Sequence, residues 1–182
     1  MQDSVTTWYL DLHTPAQLRR ARVPEPQPML LRAEAPLPML NRFLYTAVGG
    51  HWHWRDRLGW NYARWMQWLD RPEVQTWVLY QHGTPAGYIE LEKQAEDAVE
   101  IAYFGLMREF LGQGLGGHLL TLGIDQAWAM DARRVWVHTC SLDGPAALAN
   151  YEARGMQRYK EETKLMERPQ QADGPWPGWD AP

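Results

Sequence analysis

The chain has 182 residues, 45% of them hydrophobic and 22% charged, with a formal net charge of −4 at pH 7 and a pI near 5.8. This length and composition are typical of one globular domain, and a single cysteine, Cys140, excludes an intramolecular disulfide. The acidic balance disfavours binding to nucleic acid, and no segment resembles a membrane span, so we expect neither nucleic acid nor a membrane as a partner. Residues 1–9 lack a signal-peptide pattern, and we therefore expect a cytoplasmic protein.

The first part of the chain predicts two short strands and two helices. Residues 8–12 and 29–31 are apolar runs of strand length, separated by a proline-rich connection. A helix is expected over residues 35–50, where prolines mark the start and two glycines the end. A second helix is expected over residues 61–72, ending at a proline.

The middle of the chain predicts an antiparallel hairpin and a third strand. Residues 76–80 and 87–91 are strand-like, and residues 82–85 between them have turn composition. The charged residues 92–97 predict a second turn, which leads into a strand over residues 99–107. These strands should form the centre of a sheet.

The second half alternates between helix and strand. A helix follows the glycine-rich segment, since apolar side chains recur there at helical spacing, at Leu120, Ile124, Ala127 and Trp128. A strand over 134–139, a helix over 143–155 and a closing pair of strands at 157–159 and 163–166 complete the pattern. Strand–helix units beside a hairpin predict an α/β class with a mixed sheet.

We therefore divide the chain into three parts. Residues 1–28 form an N-terminal extension with a short strand, and residues 29–168 form the main domain. Residues 169–182 form a tail rich in proline, glycine and tryptophan, for which we expect no regular structure. The tryptophan-rich tail also supports an alternative class, an interaction protein built around an aromatic surface.

The glycine-rich segment over residues 112–117 lies between a predicted strand and a predicted helix. Such a unit presents unpaired N–H groups and the positive end of a helix dipole to an anion. It is not a P-loop, because Gly117-His118 stands where that motif needs lysine and serine or threonine. A dinucleotide site is disfavoured because the unit follows a hairpin. The remaining alternative is a tight turn that binds no ligand, with glycines present only for backbone freedom.

Two longer segments carry a family resemblance. VEIAYFGLMREFLGQGLGGHLL at residues 99–120 resembles motif A of the GNAT superfamily of acyl-CoA N-acetyltransferases, and DGPAALANYEARGM at 143–156 resembles its motif B. Their order and separation match the family, and the likeness extends over residues 30–166. It implies a mixed, mostly antiparallel central sheet flanked by helices, with a splayed strand pair at the cofactor site.

The resemblance also implies how acetyl-CoA, the acyl donor, is bound. The backbone of the glycine segment would bind the pyrophosphate, the backbone of Leu106 and Met107 would line the pantetheine arm, and Asp143 stands at the position of the motif B asparagine. Leu111 departs from the pattern, because the family has arginine or glutamine there. The expected cofactor-binding residues are Leu106, Met107, Gly112, Gln113, Gly114, Leu115, Gly116, Gly117 and Asp143.

Amide formation needs a neutral amine, and deprotonating an amine of pKa 10.4 at pH 7 costs about 4.6 kcal/mol. Glu100 stands where some family members have a general-base glutamate, and Glu90 on the neighbouring strand is the second candidate. Tyr151 matches the family's general-acid tyrosine, which protonates the leaving thiolate. A backbone N–H near Leu106 would stabilise the oxyanion.

Other reactive residues offer weaker alternatives. His138 is an alternative base, although a histidine satisfied by its surroundings is the commoner case. Cys140 has no paired histidine and asparagine in the sequence, so we read it as a small buried residue. The histidines show no metal-ligand spacing apart from His51 and His53, and no metal site is predicted.

A segment dense in tryptophan, histidine and arginine, residues 51–60, falls in the region that shapes the acceptor site in the family. Trp52, Trp54 and Asp56 could hold a cationic amine through ring faces and a carboxylate, with Glu90 nearby. Trp65 and Trp68, three residues apart, fit the buried face of a helix better.

The sequence thus predicts an N-acetyltransferase that moves an acetyl group from acetyl-CoA to a primary amine of a small molecule or peptide, with Glu100 as base and Tyr151 as acid. A transferase for longer acyl-CoA and a non-catalytic acyl-CoA-binding module of the same fold are the alternatives. A homodimer stays open.

Overall fold

The computed structural model describes residues 2–167 and has, within them, four α-helices and one seven-stranded sheet. The predicted tail over 169–182 lies outside the described residues. The strands are β1 (Gln2–Leu12), β2 (Met29–Ala33), β3 (Val74–Gln81), β4 (Thr84–Lys93), β5 (Ala98–Leu106), β6 (Arg134–Cys140) and β7 (Gln157–Glu167). The helices are α1 (Pro38–Gly49), α2 (Tyr62–Leu69), α3 (Leu115–Trp128) and α4 (Ala147–Ala153).

The strand order is β2-β3-β4-β5-β6-β1-β7, and every neighbouring pair is antiparallel except β5 and β6. The parallel pair holds only where residues 98–100 meet residues 134–136, and the two strands separate beyond that point. The mixed, mostly antiparallel sheet with a splayed strand pair confirms the predicted fold class.

The two outermost parts of the chain differ from the prediction. β1 is an 11-residue strand rather than a short one, and it lies inside the sheet between β6 and β7. β7 is one continuous strand, not a pair of short strands. Its charged residues, among them Lys160, Glu161 and Glu162, resemble a turn in sequence, but charges are also typical of an exposed edge strand such as β7.

Helices cover both faces of the sheet. On one face α3 buries Leu119, Leu120 and Ile124 against the strands, and Gly123 lets its backbone approach the side chain of Ile89. On the other face α1 packs Leu44 and Val48 against Val78 and Tyr88. Among residues 2–167, no helix is long and apolar enough to span a membrane.

A bulge in β5 lies next to the splay. Leu91 of β4 pairs with Ile101, whereas Glu90 pairs with Tyr103, so Ala102 is an extra residue on β5. Since side chains that pair directly share a face, the acidic side chains of Glu90 and Glu100 and the ring of Tyr103 all face the α1–α2 side of the sheet. The opposite face belongs to α3 and α4.

Candidate active site

A cavity of about 900 Å³ opens where β5 and β6 separate. Residues 100–106 of β5 run along it, and glycines from the start of α3 and Tyr151 of α4 line it from one face of the sheet. Residues 52–54 and 56–57 line it from the other face. The gap between the strands therefore joins the predicted anion cradle to the predicted acceptor segment.

The glycine cradle precedes α3. Gly112 and Gly114 have φ of 74° and 77°, in the left-handed region that favours glycine, and Gly114 is the N-cap of α3. The N–H groups of the following turn have no acceptor within the helix. Gly112, Gly116 and Gly117 line the cavity. Because these glycines have no side chains and lie beside a helix N-terminus, a phosphate group can approach the backbone N–H groups closely.

The side chains of Gln113 and Leu115 turn away from this cradle. The Gln113 amide donates a hydrogen bond to the Glu109 carbonyl at 2.8 Å. Leu115 is 1% exposed and packs in the core. Any contribution of these two residues to an anion site is therefore through the backbone.

Arg154 lies beside the cradle and was not found by sequence reasoning. A Cβ at Gly117 would collide with its Nη1 atom, which lies 3.4 Å from Oδ1 of Asn150. Its Nε is buried and has no hydrogen-bond partner among residues 2–167. A guanidinium beside the positive end of a helix is stabilised when an anion lies between them. Its signal in the sequence is an arginine of the motif B segment, next to the glycine that ends the predicted helix over residues 143–155.

The remaining predicted donor-site residues differ in their placement. Leu106 ends β5 and lines the cavity. The Met107 N–H donates to the Ala86 carbonyl at 2.9 Å, and its side chain packs against the α1 core. Asp143 lines the cavity, but its Oδ2 accepts hydrogen bonds from Thr139 Oγ1 at 2.7 Å and from the Cys140 N–H at 2.8 Å. Its carboxylate therefore shapes the turn after β6.

Glu100 and His138 form a pair on the cavity wall. Glu100 Oε1 lies 3.2 Å from His138 Nδ1, and its Oε2 accepts a hydrogen bond from the Gln94 amide at 2.7 Å. The Glu100 side chain is 13% exposed and that of His138 is 50% exposed. The hydrogen bond to Glu100 raises the pKa of His138.

Tyr151 lines the cavity from α4 and is buried, with its ring 5.9 Å from that of Phe104. Burial raises the pKa of its hydroxyl, and the negative charge of Asp143 raises it further. The phenol consequently stays protonated at neutral pH, as a proton donor must.

Glu90 is placed differently from Glu100, although both face the same side of the sheet. It is 1% exposed, does not line the cavity, and is paired with Arg57 Nη1 at 2.8 Å. It also accepts hydrogen bonds from Trp68 Nε1 at 2.9 Å and from Asn41 Nδ2 at 3.4 Å. This geometry argues against Glu90 as a base or a substrate ligand, because its oxygens are taken by the protein.

The tryptophan-rich segment is explained by the same cluster. The Arg57 guanidinium lies 4.7 Å from the Trp60 ring centroid, 4.4 Å from that of Trp68 and 4.3 Å from that of Tyr103, with Trp65 at 5.5 Å. These rings thus surround a cation of the protein itself. We name this group the Arg57 cluster: Arg57, Glu90, Trp60, Trp65, Trp68 and Tyr103.

Trp52, Trp54 and Asp56 line the cavity beside this cluster. Trp54 packs against Tyr103 at 4.9 Å and Tyr45 at 5.5 Å between ring centroids, whereas Trp52 lies over Gly144 in the turn after β6. Asp56 is exposed. Of the predicted acceptor residues, these three are brought together and Glu90 is not.

The described residues 2–167 hold no group of three or more histidine, cysteine, aspartate or glutamate side chains that could bind a metal ion.

A family model for the acetyltransferase (GNAT) family matches residues 39–156. The chain belongs to this family. No curated protein is significantly similar to it in sequence.

Solved structures with the same fold are distant in sequence. A GCN5-related N-acetyltransferase from Kribbella flavida aligns with a TM-score of 0.64 at 16% identity, over 88% of this chain and 56% of that one. Another from Sphaerobacter thermophilus has a TM-score of 0.62 at 15% identity, over 95% and 56%. The chain thus spans little more than half the length of these two. An aminoglycoside acetyltransferase from an uncultured soil metagenomic sample has a TM-score of 0.56 at 16% identity, over 70% and 86%.

Proposed function

We propose that the chain transfers an acetyl group from acetyl-CoA to a primary amine of a small molecule or peptide. The observation that supports this best is the single cavity that reaches from the glycine cradle, through the gap between β5 and β6, to Glu100 and His138. Such a passage suits a reaction between a phosphate-bearing donor on one face of the sheet and an acceptor on the other.

The donor would be held chiefly by the backbone. Its pyrophosphate would lie at the N-terminus of α3, where Gly112, Gly114 and Gly116 allow close approach. Arg154 would supply the charged side chain that Leu111 cannot. The pantetheine arm would follow the end of β5 at Leu106, towards the gap between the strands.

The chemistry would use groups on both sides of the gap. Glu100 would act as the base of the site, directly or through a neighbouring group, and Tyr151 would protonate the leaving sulfur. A backbone N–H near Leu106 would bind the oxyanion, but that of Met107 is already hydrogen-bonded to Ala86.

The acceptor would be a cation. The exposed carboxylate of Asp56 and the rings of Trp52 and Trp54 line the acceptor side. Among the described residues 2–167, Arg57 is the one arginine that lines the cavity, and Glu90 neutralises it. A negative, aromatic wall favours an ammonium group over a neutral or anionic acceptor.

The test is a thiol-release assay with acetyl-CoA and a panel of amines that includes polyamines, aminoglycosides and amino-terminal peptides. We expect release that depends on one class of amine, and a kcat lowered about 100-fold by Tyr151→Phe with the KM for acetyl-CoA unchanged. Binding of acetyl-CoA without release from any amine would contradict the transferase and leave a binding module. Release only with longer acyl-CoA would contradict the acetyl donor.

A further inference from the structure

Both carboxylate oxygens of Glu100 are engaged by the protein. Oε2 accepts a hydrogen bond from Gln94, whose own Oε1 accepts one from Trp136 Nε1 at 3.1 Å, and Oε1 faces His138 Nδ1. The Glu100 side chain is only 13% exposed. A carboxylate held in this way has little freedom to meet an incoming amine.

His138 is the member of the pair that is open to the cavity. Its side chain is half exposed and lines the cavity, and because Nδ1 faces Glu100, Nε2 is the nitrogen left for a ligand. The parallel pairing ends at Glu100 and Trp136, so His138 lies just beyond it, in the splay. It follows Trp136 at an interval of two and therefore faces the acceptor side with Glu100.

We propose that Nε2 of His138 is the catalytic base and that Glu100 is its positioning residue. This rests on the proposed function. Glu100 fixes the ring orientation, places the proton on Nδ1 and stabilises the imidazolium that forms when Nε2 accepts a proton. The arrangement requires no movement of the buried carboxylate.

The proton and electron balance is complete. The acceptor arrives as an ammonium and loses a first proton to His138 Nε2, which frees the nitrogen lone pair to form the C–N bond at the thioester carbonyl carbon. The C–S electron pair leaves with sulfur, which takes the Tyr151 hydroxyl proton. The second nitrogen proton restores Tyr151, and the proton on His138 passes to solvent through the cavity.

The titratable groups around His138 come from several elements. Glu100 faces it from β5, Tyr9 from β1 with ring centroids 6.0 Å apart, and Asp143 and Asp56 act from the adjoining loops. Behind Tyr9 lie Glu162, which accepts its hydroxyl hydrogen bond at 3.1 Å, and Lys160, 4.7 Å above its ring. Cys140 follows on the same strand as His138. The three carboxylates Glu100, Asp143 and Asp56 raise the pKa of His138 above 6.5.

The experiment compares kcat/KM for the amine against pH in wild type, His138→Gln, His138→Asn and Glu100→Gln. The ratio of wild type to variant cancels the ionisation of the acceptor itself. We expect both His138 variants to lose about 100-fold or more at pH 8, with the ratio rising through a pKa above 6.5 and then levelling. Glu100→Gln should lose less and move that rise to lower pH, because the His138 pKa falls without the carboxylate.

A matched control is His13, whose Nε2 lies 3.2 Å from Asp11 Oδ2 but outside the cavity lining. His13→Gln should leave the profile unchanged, and an unchanged KM for acetyl-CoA shows that each variant is folded. If the His138 variants stay within threefold of wild type while Glu100→Gln is inactive, Glu100 is the base and the proposal is wrong, although the transferase stands. If wild type acetylates no amine, the proposed function fails and this proposal with it.

Discussion

The Arg57 cluster and the cavity region beside it differ in whether their charged groups have complete sets of partners within the protein. In the cluster a cation and a carboxylate are both at least 95% buried, and Trp68 and Asn41 complete the hydrogen bonds of Glu90. Beside the glycine cradle, Arg154 has a buried Nε without a hydrogen-bond partner among residues 2–167, and on the cavity wall His138 has one ring nitrogen open to the cavity.

The difference indicates which charged groups serve the fold and which await a ligand. A buried charge is tolerated when its partners are complete, and breaking such a set is costly. Groups left incomplete beside a cavity are stabilised only when something else supplies the missing partner. We therefore interpret the Arg57–Glu90 pair as holding residues 51–60 to the sheet, and Arg154 and His138 as the groups available to a ligand.

The largest expected effect comes from breaking the cluster. Glu90→Gln removes the charge opposite Arg57 with little change of shape, and it leaves a buried guanidinium without a counter-ion. We expect it to lower the free energy of unfolding by about 3–5 kcal/mol, measured by urea denaturation. The double variant Arg57→Met with Glu90→Gln should lose less than the two single variants together, because it leaves no unpaired charge.

The matched control is Glu100→Gln on the adjacent strand. Its partner His138 is half exposed, so the change should cost less than about 1 kcal/mol of stability. Equal losses for Glu90→Gln and Glu100→Gln would contradict the division between a structural and a functional carboxylate.

A smaller effect is expected from Arg154 at the donor side. Arg154→Gln should raise the KM for acetyl-CoA about tenfold, close to 1.4 kcal/mol, because a charge-assisted bond to the pyrophosphate is lost. The acceptor KM should not change. Steady-state kinetics with Arg158→Gln provide the control, since Arg158 pairs with Glu152 at 2.7 Å on the surface. Equal effects of the two variants would remove Arg154 from the donor site.

The parts of the fold that could be predicted from sequence have local signals. The hairpin and the strand–glycine–helix unit depend on turn residues and on periodicity within a few residues, and the structure has both. The position of β1 between β6 and β7 depends on pairing across most of the chain, for which a single sequence carries no local signal. The continuity of β7 was hidden because its edge position allows charged residues that resemble a turn.

The candidate site was likewise predictable where the signal is local and not where it depends on partners distant in sequence. Motif residues such as Gly112, Gly116, Glu100 and Tyr151 do line one cavity, because they lie on the elements around the splay. The sequence could not separate Glu90 from Glu100, since the distinction depends on Arg57, far along the chain from both. His138 and Arg154 likewise lie beside residues of other elements, Glu100 on β5 and Gly117 at the start of α3.

The smallest expected effect is a change in stability at His118. This buried side chain has unpaired polar atoms but does not line the cavity, so it belongs neither to the Arg57 cluster nor to the cavity wall. His118 in α3 is 3% exposed, neither ring nitrogen has a partner among residues 2–167, and burial lowers its pKa. His118→Met fills similar space without a polar atom, so we expect about 1 kcal/mol of added stability at pH 8 and unchanged kcat.

The stability difference between wild type and His118→Met should also depend on pH. Since the pKa of His118 in the folded protein lies below the ordinary 6.5, the unfolded chain takes up the proton first, and wild type loses stability as pH falls from about 6.5. The advantage of the variant in urea denaturation should therefore grow from pH 8 to pH 5.5. A loss of kcat instead would show that an unpaired group can serve the reaction without touching the cavity.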